Sequence, residues 1–148
     1  MKRTVTVVLA VVVVIAVLVE GGFYLFERHD RGTIAAAATV SCAGKDTAAT
    51  SQMLPSGLPL TQGATVLRVA SQGSTTVAFA SLPGGREDLV AKRDAVVQDL
   101  TSAGYRVTGT DQEPTYEAEA QFTGPKAGSL RVKPLCTGLL ELRYTIDK

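Results

Sequence analysis

Residues 116–146 read YEAEAQFTGPKAGSLRVKPLCTGLLELRYTI, and this stretch carries the clearest structural signal in the chain. Apolar and polar residues alternate one by one over three segments of it, Tyr116–Phe122, Ser129–Leu135 and Leu139–Ile146. A period of two is typical of strands that bury one face and expose the other. The stretch therefore predicts an antiparallel sheet with one dry face and one wet face.

The charged residues of the wet face indicate how these strands pair. An antiparallel meander places the carboxylates of the first strand, Glu117 and Glu119, beside the cations of the second strand, Arg131 and Lys133. The same arrangement brings Arg131 near Glu141 on the third strand. Opposite charges on adjacent strands stabilise a sheet by roughly a few tenths of a kcal/mol per pair. We therefore expect the three strands to lie side by side in chain order.

Upstream of the meander, the sequence predicts a hairpin and a helix. Ala64–Ala70 and Thr75–Ala80 flank turn-forming residues and are predicted to be strands. Arg86–Ala103 has apolar residues at helical spacing, and Gly104 is placed to end the helix. The apolar stripe consists of Leu89, Val96, Leu100 and Ala103. The opposite side carries Lys92, Arg93, Asp94, Gln98 and Asp99.

These elements define an α+β fold. Three or four strands follow the helix, the short segment Tyr105–Thr110 among them, and we take the order as ββαβββ. The apolar stripe of the helix would cover the dry face of the antiparallel sheet, which gives a small layered domain.

The N-terminus predicts a membrane anchor. After MKR comes an uncharged apolar run, Thr4–Val19, and then an aromatic patch at 23–26. Extended to Phe26, the segment is about 23 residues and about 34 Å long, enough for a helix to cross a bilayer core of about 30 Å. Aromatic rings favour the membrane interface. A cleaved signal peptide is the alternative, but Val19-Glu20-Gly21 matches its cleavage pattern poorly.

Glu20 lies within this span. A charge in lipid is costly unless it is solvated, protonated or paired. Glu20 therefore either lies near the outer boundary, or contacts a polar group on a neighbouring helix as part of a membrane complex.

Two cysteines, Cys42 and Cys136, indicate the compartment. The chain has no C-x-x-C, and a zinc site needs about four ligands that are not available here. A disulfide is the natural interpretation, and such bonds persist outside the cytoplasm. We therefore predict a cytoplasmic N-terminus and an extracytoplasmic C-terminal domain in the cell membrane. The alternative is two buried thiols in a reducing compartment.

The predicted organisation has three parts. Residues 1–31 form the anchor and a juxtamembrane turn, residues 32–53 an Ala/Thr/Ser-rich linker, and residues 54–148 the extracytoplasmic domain.

The charge balance argues against nucleic-acid binding. Lys and Arg number 15 and Asp and Glu 14, which gives a net charge of +1, and no basic face emerges. No cofactor or metal is predicted, since His29 is the sole histidine and no P-loop motif occurs.

No catalytic residue is predicted. Glu117 and Glu119 lie about 7 Å apart on one strand face, within the range of glycosidase carboxylate pairs. However, Arg131 and Lys133 favour ionised carboxylates, whereas a general acid must hold its proton. We interpret the pair as part of a solvated, salt-bridged face. The aromatic residues either line a ligand pocket or, as we expect, pack in the core. They are Tyr105, Tyr116, Tyr144, Phe79 and Phe122.

A recognisable pattern is formed by four parts of the sequence: Leu58-Pro59-Leu60, Gly63-Ala64-Thr65-Val66, the strand Thr75–Ala80 and the helix end Ala103-Gly104-Tyr105. The pattern resembles uncharacterised extracytoplasmic α+β modules of actinobacterial single-pass membrane proteins and lipoproteins. The resemblance covers about Leu54–Ile146. It implies the fold and the anchor, and it implies no activity and no site residues.

Three functional hypotheses follow. The first is a non-enzymatic single-pass membrane protein whose extracytoplasmic domain makes protein–protein contacts, as an accessory subunit of a membrane complex. The second is an envelope module that binds a lipid, glycan or peptide between helix and sheet. The third is an envelope hydrolase that uses Glu117 and Glu119.

Overall fold

An antiparallel sheet of six strands and one α-helix are the regular elements of the computed structural model, which describes residues 39–55, 57–113 and 115–148. All of these residues belong to one unit, Ile34–Lys148. The helix α1 spans Leu89–Ser102 and follows a 3₁₀ turn at Arg86–Asp88. The strands are β1 (Thr65–Gln72), β2 (Thr75–Pro83), β3 (Arg106–Glu113), β4 (Glu117–Thr123), β5 (Gly128–Cys136) and β6 (Leu139–Asp147). The predicted α+β class is confirmed, while the predicted anchor, residues 1–31, lies outside the described residues.

The described part of the chain has four strands after the helix, where the predicted order ββαβββ has three. The additional strand is β3, which lies at the edge of the sheet. Most of its residues are exposed, and its sequence, RVTGTDQE, shows no regular alternation. Since β3 buries few side chains, it lacks the pattern by which a strand is identified from sequence.

The strand order across the sheet is β1-β2-β6-β5-β4-β3. Strands β3 to β6 form a meander in chain order, in agreement with the sequence analysis, and β6 pairs with β2 to join the meander to the N-terminal hairpin. The helix connects β2 to β3 at the far edge and therefore has to cross one face of the sheet.

The core lies between α1 and that face. Leu89, Val96 and Leu100 are buried, as the apolar stripe predicts. Ala103 is exposed, because the helix ends at Ser102 and Gly104 adopts a φ of 88°, which turns the chain. The strands contribute Ala78, Ala80, Leu82, Ala118, Ala120, Phe122, Leu130, Val132, Leu140, Leu142, Tyr144 and Ile146.

Arg93 departs from the predicted helical pattern. The sequence analysis places it on the solvent side, but the residue is 6% exposed. It lies four residues after Leu89 and so shares a helix face with it. Its Nη1 donates a hydrogen bond of 3.1 Å to the carbonyl oxygen of Asp111, and its Nη2 lies 2.8 Å from the carboxylate of Asp94. The guanidinium therefore ties α1 to β3.

The charged side chains lie on the sheet face that points away from α1. Their pairing between β4 and β5 agrees with the prediction, whereas the pairing between β5 and β6 differs from it. Glu119 stands directly opposite Arg131, and their side chains form an ion pair. Arg131, however, stands opposite Arg143, and the partner of Glu141 is Lys133, at 3.3 Å. A β-bulge between Pro134 and Cys136 shifts the β5–β6 register, which no charge pattern reveals.

Residues 39–53, the described part of the predicted linker, are attached to the sheet at both ends. Near the start, the amide of Thr137 donates to the carbonyl of Val40 at 3.0 Å. Near the end, the amide of Thr50 donates to the carbonyl of Val66 at 2.9 Å, and Gln52 Oε1 accepts from the amide of Val69 at 2.8 Å. The segment thus satisfies part of the outer edge of β1, which would otherwise present unpaired backbone groups.

Gly128 at the start of β5 provides a test of this packing. A Cβ atom there would clash with the carbonyl oxygen of Thr145 and lie 3.0 Å from the ring of Phe122. We expect Gly128→Ala to lower the free energy of unfolding by about 2 kcal/mol, because backbone has to move. Gly109→Ala is the matched control on β3, since its Cβ would meet nothing within 4 Å. Urea unfolding of both full-length variants in mild detergent measures the difference, and equal stabilities would contradict this packing.

Candidate functional site

The predicted disulfide is present. Cys42 and Cys136 are bonded, with their Cα atoms 5.2 Å apart and a separation of 94 positions in sequence. Cys136 is buried at the end of β5, whereas Cys42 belongs to the segment that precedes the sheet. The bond therefore holds residues 39–53 against the β5–β6 end of the sheet.

An apolar cavity of about 540 Å³ opens beside β1, and we call it the β1 groove. It is lined by residues 49–54, Leu58, Leu60 and residues 64–66. Leu58 is 9% exposed and belongs to the core, so it forms the inner wall. Met53 is 85% exposed and Leu60 is 48% exposed, which leaves two large apolar side chains at the opening.

The local sequence explains the shape of the β1 groove. Pro55 and Pro59 disfavour helix in the residues before them, and the amide of Leu58 donates to the carbonyl of Pro55 in a turn. The last contacts of this segment with β1 are the hydrogen bonds of Thr50 with Val66 and of Gln52 with Val69, and β1 itself begins at Thr65. Residues 53–55 and 57–64 therefore run outside the sheet and lie beside a concave surface next to β1.

A second feature lies on the sheet face that points away from α1. Directly paired residues of neighbouring strands share a face, and Phe79 alternates with the core residues Ala78 and Ala80. One row of such pairs runs from β1 to β4, and we call it the arginine row. It consists of Arg68, Phe79, Arg143, Arg131 and Glu119.

The two arginines beside Phe79 stack on its ring. The guanidinium carbon of Arg68 lies 4.5 Å from the ring centroid, and that of Arg143 lies 5.8 Å from it. Both distances are within the range of cation–π attraction. Next to the ring is a small cavity of about 170 Å³, whose lining includes Leu67, Leu135 and the acidic residues Asp46 and Glu141.

The carboxylate pair considered in the sequence analysis is bound to one arginine. Glu117 Oε2 lies 3.4 Å from Arg131 Nε, and Glu119 Oε1 accepts a hydrogen bond from the same nitrogen. The two glutamates project from the same strand face toward a shared cation. One guanidinium thus engages both carboxylates, an arrangement typical of a structural ion pair rather than of the separate acid and base roles in glycoside hydrolysis.

Most of the aromatic residues pack in the core. Tyr105 and Phe122 meet edge to face, with ring centroids 5.4 Å apart. The hydroxyl of Tyr144 donates to the carbonyl of Pro59 at 3.5 Å, and burial raises the pKa of Tyr144 well above its ordinary value. Burial also raises the pKa of Tyr105. Tyr105 and Tyr144 both belong to the hydrophobic core. Neither residue lines the β1 groove, so this groove differs from the pocket between helix and sheet that the ligand hypothesis expects.

Two other predicted positions lie outside the described residues: Glu20, the predicted intramembrane contact, and His29. In the portion of the chain that is described, no helix has both the length and the apolar character needed to cross a membrane. Within residues 39–55, 57–113 and 115–148, no group of three or more His, Cys, Asp or Glu side chains is arranged to hold a metal ion.

The sequence analysis missed both the β1 groove and the arginine row. The signal for the groove is the pair of exposed apolar residues Met53 and Leu60, which flank the two prolines Pro55 and Pro59. The signal for the row is weaker, because Arg68 and Arg143 lie 75 residues apart and meet over Phe79 only through the sheet register. Comparisons of the chain with protein-family models, with curated proteins and with solved structures find no match.

Proposed function

We propose that this chain is a non-enzymatic, single-pass membrane protein whose extracytoplasmic domain makes protein–protein contacts, as an accessory subunit of a membrane complex. The observation that carries the proposal is the β1 groove, with Met53 85% exposed and Leu60 48% exposed at its opening. Large apolar side chains grouped around one concave surface are typical of binding sites, whereas single exposed apolar residues need no explanation.

The energetics favour a partner that covers this opening. Burying a large apolar side chain contributes roughly 1.5–3 kcal/mol relative to leaving it in water. Two such side chains therefore supply a worthwhile part of the binding free energy. Methionine is enriched at protein interfaces because its flexible thioether adapts to the opposing surface.

The chemistry of the described residues is also consistent with a binding role. Lys133 is ion-paired with Glu141, and Arg131 with Glu117 and Glu119. The single histidine of the chain is His29, so a nucleophile–base pair that uses histidine would have to recruit a residue near the predicted anchor. The disulfide supports an oxidising compartment for the domain.

A second candidate function is an envelope module that binds a lipid, glycan or peptide in the same groove. The volume of about 540 Å³ favours it, since pockets for small ligands are typically about 300–1,000 Å³. Native mass spectrometry of the intact chain separates the two candidates. A bound small molecule that is lost in Leu60→Ser supports this second function, and a bound protein lost in the same variant supports the first.

Substitution at the groove opening tests the proposal. We expect Met53→Ser and Leu60→Ser to reduce recovery of a stoichiometric partner at least about tenfold, because each removes roughly 1.5 kcal/mol or more of apolar burial. Val40→Ser is the matched control, since Val40 is apolar and 44% exposed but does not line the groove. Recovery is measured by quantitative mass spectrometry after cross-linking in native membranes and purification of the full chain in mild detergent.

The same experiment with Glu20→Leu tests the intramembrane contact. If Glu20 pairs with a polar group on a neighbouring helix, this variant also loses the partner. Unchanged recovery in Met53→Ser and Leu60→Ser, or an equal loss in Val40→Ser, would argue against the groove as the contact surface. Absence of any stoichiometric partner from the wild type would contradict the proposed function as a whole.

A further inference from the structure

Two arginines of the arginine row, Arg68 and Arg143, have no carboxylate partner in the part of the chain that the structure describes. Among the described residues, no Asp or Glu oxygen lies within 4.0 Å of the guanidinium of Arg68 or Arg143. The next cation along the row, Arg131, is paired with two glutamates. The register is responsible, because it places Arg143 opposite Arg131 and next to Phe79, so neither neighbouring strand offers it an acid.

Phe79 holds these two cations in place without neutralising them. A guanidinium on an aromatic face keeps its charge and its N–H donors while it loses part of its freedom to rotate. The Nε atom of Arg143 is also buried and has no hydrogen-bond partner in the part of the chain that the structure describes. A buried donor without a partner costs free energy, and such donors often mark a place where a bound group completes the hydrogen bonds.

We infer that Arg68 and Arg143 form a binding site for the carboxylates of an acidic segment of a partner protein. The fork of N–H donors on a guanidinium matches a carboxylate in two parallel hydrogen bonds. The two arginines stand two strands apart, which is about 9.6 Å at the usual strand spacing. Carboxylates within one short acidic segment span that distance. Charge complementarity is therefore the reason for choosing this occupant.

The acidic groups near the row limit where such a segment binds. Asp46 and Glu141 line the small cavity beside Phe79, and Glu141 is paired with Lys133. Their negative charge disfavours a carboxylate inside that cavity. The acidic segment therefore lies over the two guanidiniums, on the β1–β2–β6 part of the sheet. This surface shares no residue with the β1 groove, so the two surfaces are tested separately, while the presence of a partner protein rests on the proposed function.

A labelled oligoglutamate peptide is the probe. Its binding to the full chain in neutral detergent is measured by fluorescence anisotropy at low ionic strength, together with the NMR signals of the arginine Nε–H groups. We expect Arg68→Gln and Arg143→Gln each to weaken binding about tenfold, and the Nε–H signal of Arg143 to shift on titration of the wild type. Arg106→Gln is the matched control, since it removes the same charge from an exposed position on β3 outside the row.

The outcomes distinguish specific binding of the peptide at Arg68 and Arg143 from its nonspecific attraction to positive charge. Weakened binding in Arg68→Gln and Arg143→Gln, with wild-type affinity in Arg106→Gln, supports the inference. Arg68 is exposed, so its substitution tests the site even if Arg143→Gln unfolds. Equal affinities in all variants, or an equal loss in Arg106→Gln, overturns it. Binding to phosphatidylserine vesicles without binding to oligoglutamate overturns it in favour of a lipid surface. Self-association that depends on Arg143, without oligoglutamate binding, overturns it in favour of a second copy.

Discussion

Removal of the disulfide is expected to produce the largest loss of stability. The Cys42–Cys136 bond joins positions 94 apart in sequence, which in the loop-entropy model contributes about 4–5 kcal/mol by restricting the unfolded chain. For a domain of this size the melting temperature should fall by about 15 °C or more. The measurement is thermal and urea unfolding of the full chain in mild detergent, followed by near-UV circular dichroism, with and without reductant.

A Cys42→Ala/Cys136→Ala double variant supplies the control for this prediction. It should be as unstable as the reduced wild type and insensitive to reductant, because both lack the cross-link. We also expect faster hydrogen exchange at the amides of Thr50 and Val69, since the bond holds the segment that pairs with the outer edge of β1. Unfolding of the oxidised and reduced wild type at the same urea concentration would contradict a stabilising role for the bond.

Leu142→Ala is expected to give the second large effect. Leu142 is 0% exposed on β6 and stands opposite Ala80 on β2 and Val132 on β5. Truncation leaves a cavity in the middle of the core beneath α1, which costs about 3 kcal/mol. Leu60→Ala is the matched control, since the same truncation at a residue that is 48% exposed should cost less than about 1 kcal/mol.

Urea unfolding of the two leucine variants gives the comparison. A difference of about 2 kcal/mol between them is expected. Equal losses would mean that Leu142 does not pack in a close-packed core, or that Leu60 is covered more than its exposure indicates. The same purified Leu60→Ala protein then serves as a folding control for the groove experiments.

The sequence predicted most accurately the elements with a buried face. Strands β4, β5 and β6 alternate because each buries one side in the core and leaves the other toward solvent. The helix was identified from Leu89, Val96 and Leu100, and its end from Gly104. These features are local, since each depends on a short period or a single backbone conformation. The disulfide was also predictable, because the chain contains only two cysteines and its sequence has no motif for a zinc site that would use them.

The predictions that depend on exposed residues were less accurate. Strand β3 was reduced to a short candidate, because an edge strand with most side chains in water has no alternation to detect. Arg93 was placed in solvent because its side chain is charged, although its helical position faces β3 and its guanidinium finds the carbonyl of Asp111 there. In both cases the partner comes from a distant part of the chain.

The sequence by itself therefore determined the fold class, the meander, the covering helix and the pairing of the two cysteines, because these follow from local periodicity and from residue count. Only the tertiary structure decided what the surfaces offer. The β5 bulge placed Arg143 opposite Arg131, and the sheet register brought Arg68 and Arg143 onto Phe79. The path of residues 53–55 and 57–64 outside the sheet opened the β1 groove. Surfaces of this kind depend on contacts between residues far apart in the chain, and no local pattern in the sequence encodes such contacts.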